Sequence, residues 1–115
     1  MKHQQKLKYF LYVRKSTEEE ERQVISIQSQ VDEAKRRYPE LQIIEVLSES
    51  KSAFKPYNRP IFETMLKRIQ AGEAHGIIAW HPDRISRNEI DAATVTYFLR
   101  TGVIHDLKFC SYNFD

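Results

Sequence analysis

Leu7-Lys8-Tyr9-Phe10-Leu11-Tyr12-Val13 runs directly into Arg14-Lys15-Ser16-Thr17, and the reading of that junction decides the fold. Seven residues rich in aromatic and branched side chains, with polar sequence on both sides, spell a strand. The first strand therefore delivers Ser16 at its C-terminal exit. Past an acidic run, Glu18 to Glu21, the residues Val24, Ile27, Val31, Ala34 and Tyr38 recur at spacings of three and four, which predicts a helix that Pro39 terminates. Leu41 to Leu47 reads as a second strand, and Ser48 to Asn58 as a long polar loop containing Pro56.

A second helix is expected over Arg59 to Ala71, with Pro60 in its first turn, Phe62, Met65, Leu66 and Ile69 on one face, and Gly72 where a C-terminal cap belongs. Gly76 to Trp80 is a short apolar run suited to a buried parallel strand, and His81 to Arg87 is a polar, basic loop. Asn88 can cap a third helix, whose apolar face is expected from Ile90, Ala93, Tyr97 and Leu99 and which Gly102 stops. Leu107 to Tyr112 completes the pattern as a fourth strand. Alternation of strand and helix predicts an α/β fold: a mostly parallel central sheet of about four strands, flanked by helices and joined by right-handed crossovers. Ligands of such sheets lie beyond the carboxyl ends of the strands, which is where Ser16 and the His81 to Arg87 loop fall.

Composition narrows the function. A hydrophobic content of 41% with 30% charged residues over 115 positions suits one soluble domain. No apolar run approaches the roughly 20 residues of a membrane-spanning helix. Met1 to Gln5 has no apolar segment of signal-peptide length, and Lys2 stands where N-myristoylation requires glycine, so a cytoplasmic protein is expected. With three glycines in the chain, neither a Gly-rich phosphate loop nor a dinucleotide fingerprint is present. Cys110 reads as a small buried hydrophobe, and His3, His75, His81 and His105 show no metal-ligand spacing with it or with each other; neither metal nor cofactor is expected. The net charge of +2 is too small to argue for nucleic acid, but Arg14, Lys15, Lys51, Lys55, Arg59, Arg84 and Arg87 all fall in loops or element ends.

Three segments carry the chemistry: Tyr12-Val-Arg14-Lys-Ser16, Lys55-Pro-Tyr-Asn-Arg59-Pro60 and Asp83-Arg84-Ile-Ser86-Arg87. Together they resemble the serine recombinase family of resolvases, invertases and large serine integrases or transposases. Tyr12, Arg14 and Ser16 match the Tyr-x-Arg-x-Ser that ends the family's first strand, Ser26 and Gln30 its Ser-x-x-x-Gln, Arg59 and Pro60 its Arg-Pro, and Asp83, Arg84 and Arg87 its Asp-Arg-x-x-Arg loop. The closing stretch, Gly102 to Phe109, is more similar to the large members. Under this resemblance Ser16 is the nucleophile, and Arg14, Arg59, Arg84 and Arg87 surround the scissile phosphate. Gln30 and Tyr12 support the site, and Asp83 either orients Arg84 or Arg14 or takes part in proton transfer.

The resemblance further implies metal-independent transesterification through a covalent 5′-phosphoserine, with double-stranded DNA as partner and a homodimer and tetramer in the full-length protein. Residues 1–115 would then be the catalytic domain, without the C-terminal dimerisation helix and DNA-binding region. The alternative is a catalytically silent relative that serves as an assembly or regulatory module.

Elementary chemistry agrees with this assignment. Breaking a phosphodiester requires a nucleophile and fixed positive charge on the equatorial oxygens. Guanidinium groups stay charged and grip phosphate with two parallel donors. On an extended strand, Arg14 and Ser16 project to the same side, and Arg84 and Arg87 share a face if their loop makes a helical turn.

Overall fold

A computed structural model describes residues 7–14, 27–49, 58–81, 85 and 88–110. Among these, four strands and three helices alternate: β1 (Lys8–Arg14), α1 (Ile27–Arg37), β2 (Gln42–Glu49), α2 (Pro60–Gln70), β3 (Gly76–Ala79), α3 (Glu89–Thr101) and β4 (Asp106–Phe109). The strands form one parallel sheet in the order β2-β1-β3-β4. The expected α/β architecture is therefore the observed one, with β1 in the interior of the sheet.

Side-chain alternation on β1 divides the core into two layers. Tyr9, Leu11 and Val13 turn to one face with Ile78 and Cys110, where Ile27, Val31, Ala34 and Tyr38 of the first helical segment pack. Phe10 and Tyr12 turn to the other, where Phe62, Met65, Leu66 and Ile69 of α2 meet Ile77, Ala79, Val95 and Ile104. Both helical faces are those that the sequence spacing predicts; Val24 lies outside the described residues. A strand covered on both faces reads as a continuous apolar run rather than an alternating one. Gly76 serves a close approach: a Cβ there would lie 2.4 Å from the Tyr9 ring and 3.1 Å from the Asp106 carbonyl oxygen.

The structure corrects two expectations. β2 continues through Ser48 and Glu49, which the sequence assigns to a loop, because Val13 and Arg14 pair with them in the sheet. More consequentially, α3 does not bury Ile90, Ala93, Tyr97 and Leu99. Ile90, Tyr97 and Leu99 are exposed, and the inward positions are Asp91, Val95 and, in part, Phe98. A carboxylate can occupy the inward stripe only with compensating partners, and the groups around Asp91 provide them. The fourth strand ends at Phe109, with Cys110 just past it, and Tyr112 lies outside the described residues.

Candidate active site

Of the residues singled out by sequence, Tyr12, Arg14, Gln30 and Arg59 are described. Ser16, Asp83, Arg84 and Arg87 lie outside the described residues, as do Ser26, the Glu18 to Glu21 run and positions 50–57 of the polar loop. The four that are described gather at the C-terminal end of β1 in two connected groups.

The first group fixes the strand that leads to Ser16. Gln30, buried on α1, uses its amide as a backbone surrogate: Oε1 accepts from the Arg14 N–H at 3.4 Å and Nε2 donates to the Arg14 carbonyl at 3.2 Å. A helix side chain thus continues the hydrogen-bond ladder at a point two residues before the serine. Pinning both main-chain groups of Arg14 orients its side chain, which has no exposure to solvent.

The second group is a buried polar layer around Arg59, the residue preceding α2. Its guanidinium lies 3.8 Å from the centre of the Phe62 ring, a cation–π contact shielded from water. Nη1 donates to the Tyr12 hydroxyl at 3.3 Å, and Nη2 donates to the Asp91 carboxylate at 3.0 Å and to the Ile85 carbonyl oxygen. Arg59 is 1% exposed. Tyr12 in turn donates to Glu49 at 2.8 Å. Burial raises the Tyr12 phenol well above its ordinary range; Arg59 opposes that rise and Glu49 reinforces it, so the hydroxyl remains a neutral donor.

Glu49 has a further task. The helix α2 begins with Pro60 and draws no side-chain cap from Arg59. Glu49 instead reaches from the end of β2 and accepts from the N–H groups of Ile61 and Phe62 at 3.0 and 2.9 Å. A carboxylate at that terminus satisfies two orphan donors and complements the helix dipole. Asp91 is held from its other side by Asn88, whose amide donates to its carboxylate at 2.9 Å and whose Oδ1 accepts the Asp91 N–H at 2.8 Å.

Neither Glu49 nor Asp91 was singled out by sequence. The available signal for Asp91 was its place three residues after the helix cap Asn88, where an acidic side chain commonly completes a capping pair. Glu49 left no comparable trace. Among the described residues, no group of three or more His, Cys, Asp or Glu side chains is placed to hold a metal ion. His75 and His105 do meet edge to face, with ring centres 5.5 Å apart, at the opposite end of the sheet from Arg14.

A parallel sheet in the order β2-β1-β3-β4, with a helix between each pair of successive strands, is the resolvase-like catalytic fold. The chain belongs to the resolvase N-terminal domain family, whose model matches residues 9–110. Solved structures agree on the fold. The C-terminal catalytic domain of ISC1926 TnpA, an IS607-like serine recombinase, superposes with a TM-score of 0.74 at 13% identity, over 95% of this chain and 71% of that one. The first open reading frame of transposon ISC1904 from Sulfolobus solfataricus P2 gives 0.67 at 18% identity, over 93% and 69%. The N-terminal catalytic domain of TP901-1 integrase gives 0.64 at 22% identity, over 85% and 71%. No curated protein matches the chain in sequence.

Proposed function

We propose that residues 1–115 form the catalytic domain of a cytoplasmic site-specific DNA recombinase, in which Ser16 attacks the DNA backbone. Its Oγ forms a bond to phosphorus, the bond from phosphorus to the 3′ oxygen breaks, and the 3′ hydroxyl departs with a proton. The 5′-phosphoserine left behind conserves the bond energy, and attack by a 3′ hydroxyl reverses the step. Neither metal nor nucleotide cofactor enters this chemistry.

Arg14, Arg59, Arg84 and Arg87 supply the positive charge around the phosphate, and Asp83 orients an arginine or carries a proton. Gln30 holds the backbone at Arg14, and Tyr12 holds Arg59. Specific double-stranded DNA sites are the substrate. The full-length protein acts on these sites as a homodimer and tetramer. The observation that carries the reading is that Tyr12 and Arg14 end interior strand β1, two residues before Ser16 in sequence, in a chain whose residues 9–110 match the resolvase family.

Arg14 and Arg59 are both shielded from solvent, so binding of DNA has to uncover them before they meet a phosphate. Single-turnover cleavage by the full-length protein tests the assignment. Removing any one guanidinium, as in Arg14→Ala or Arg84→Ala, is expected to slow cleavage by roughly 10² to 10³. A rate for Arg84→Ala close to the parent's would contradict its role.

A further inference from the structure

We propose that the exposed face of α3 is a self-association surface: α3 of one copy of this chain lies antiparallel against α3 of a second copy, and the contact forms without DNA. It gives the homodimer and tetramer of the reading above a contact surface, and rests on that reading for its use rather than its existence.

A surface helix of a globular domain turns its apolar stripe inward, and α3 does not. Asp91 and Val95 are its buried residues, Thr94 and Phe98 are half-buried, and every other position from Glu89 to Arg100 faces solvent. The outward arc has three rows. Glu89, Ala93, Thr96 and Arg100 follow one another at spacings of four, three and four, and so run in a line along the helix. Ile90 and Tyr97 form the row on one flank and Ala92 and Leu99 the row on the other, each pair about two turns apart. Tyr97 is 53% exposed, and Ile90 and Leu99 are 41% and 39% exposed. Beside the second flank the surface continues as an apolar groove lined by Leu99 with Leu107 and Phe109 of β4.

This pattern reads the same from either end. A two-fold axis that crosses α3 between Thr94 and Val95 exchanges residue 89 with 100 and residue 93 with 96. It sets Glu89 against Arg100 of the second copy at both ends of the contact, and leaves Ala93 and Thr96, both small, where the backbones come closest. The axis preserves each flank, so Ile90 faces Tyr97 of the second copy on one side and Ala92 faces Leu99 on the other. The two flanks are offset by about 3 Å in opposite directions, as helices that cross at an angle require. Among the described residues, neither Glu89 nor Arg100 has an ion-pair partner in its own chain. Arg100 sits beside the Tyr97 ring, 5.6 Å from its centre, at the end where Glu89 of the second copy arrives. A parallel pairing would set Glu89 against Glu89 and Arg100 against Arg100, so the charges select the antiparallel one.

The 13 residues of α3 span about 20 Å. A contact of that length buries less than the roughly 1,200 Å² of a standard interface, so a dissociation constant on the order of 10⁻⁴ M is expected. Sedimentation equilibrium of the 115-residue chain, without DNA and at about 0.1 M salt, compares the parent with Tyr97→Ala, Glu89→Arg and Arg100→Glu. The parent is expected to dimerise in that range. Each variant is expected to bind itself at least about tenfold more weakly: Tyr97→Ala loses the apolar anchor, and each charge variant meets like charge at both ends. An equimolar mixture of Glu89→Arg and Arg100→Glu is expected to recover association to within about threefold of the parent's, because one copy then carries two arginines and the other two glutamates. A charge variant that had merely lost its fold would gain nothing from mixing.

A parent that stays monomeric at about 1 mM overturns the proposal. So does a dimer that Tyr97→Ala leaves intact, and so does a mixture that associates no more tightly than its components. None of these outcomes bears on cleavage, which the covalent adduct reports. A parent that associates through α3 and forms no adduct would lose the recombinase reading and keep this surface.

Discussion

Tyr12, Glu49 and Arg59 share one buried layer whose hydrogen bonds join β1, β2 and α2, so changes to single atoms have defined consequences. Tyr12→Phe removes the donor to Glu49 and the acceptor of Arg59 Nη1 while preserving the ring that meets Phe62. Leaving buried polar groups short of a partner costs about 1 to 3 kcal/mol each. Urea denaturation of Tyr12→Phe is expected to show a loss of that size with an unchanged m-value. Cys110 behaves differently: burial pushes its thiol up to about 11, so at neutral pH almost none is thiolate. Alkylation by iodoacetamide at pH 8 is expected to be at least roughly tenfold slower in the folded protein than in the urea-unfolded chain, and the gap is expected to close as pH approaches 11. Because this pKa is raised on folding, its contribution to stability is intact below the ordinary thiol range and is lost as pH climbs through about 11. The buried thiol was legible in sequence as a lone cysteine among apolar residues. The carboxylates of Glu49 and Asp91 were not, because their burial depends on partners that are remote in the chain.

Helix ends and strand interiors carry the next level of specification. Asn88 caps α3 as expected, accepting the Asp91 N–H, and Gly102 ends the same helix in the left-handed region at φ 86°. Asn88→Ala is expected to lower stability by about 0.5 to 2 kcal/mol, with an additional loss because the amide also holds Asp91. Gly76→Ala drives a methyl group into the Tyr9 ring, which is buried and donates its hydroxyl to Asp106. Overpacking of this kind costs about 1 to 3 kcal/mol, measurable by thermal or chemical unfolding. Caps and periodicities placed all three helices and their α1 and α2 faces from sequence alone. The face of α3 was misread for a physical reason: a rule that places apolar residues inward selects Ile90, Ala93 and Tyr97, whereas the helix is turned by the Arg59–Asp91 ion pair. Ile90 and Tyr97 then remain on the surface.

At the scale of the whole molecule, strand and helix alternation specified a parallel α/β sheet, but it could not give the neighbour order β2-β1-β3-β4, since periodicity identifies strands without saying which of them pair. That order matters because it places β1 between β2 and β3, where Glu49 on one side and the segment after β3 on the other reach the same polar layer. The family was legible because its motifs are concentrated in short segments; the scaffold around Tyr12, Arg14 and Arg59 is spread over five elements. The central claim concerns Ser16, and the most direct measurement is of a covalent protein–DNA adduct. Full-length parent and Ser16→Ala proteins, both shown to fold and to bind DNA, are incubated with DNA carrying the recombination site and resolved under denaturing conditions. An adduct through a 5′ phosphate in the parent, absent from Ser16→Ala, is the expected result. An adduct that survives the substitution, or none in a parent that binds its DNA site, would contradict the account, and the latter would favour a silent assembly module.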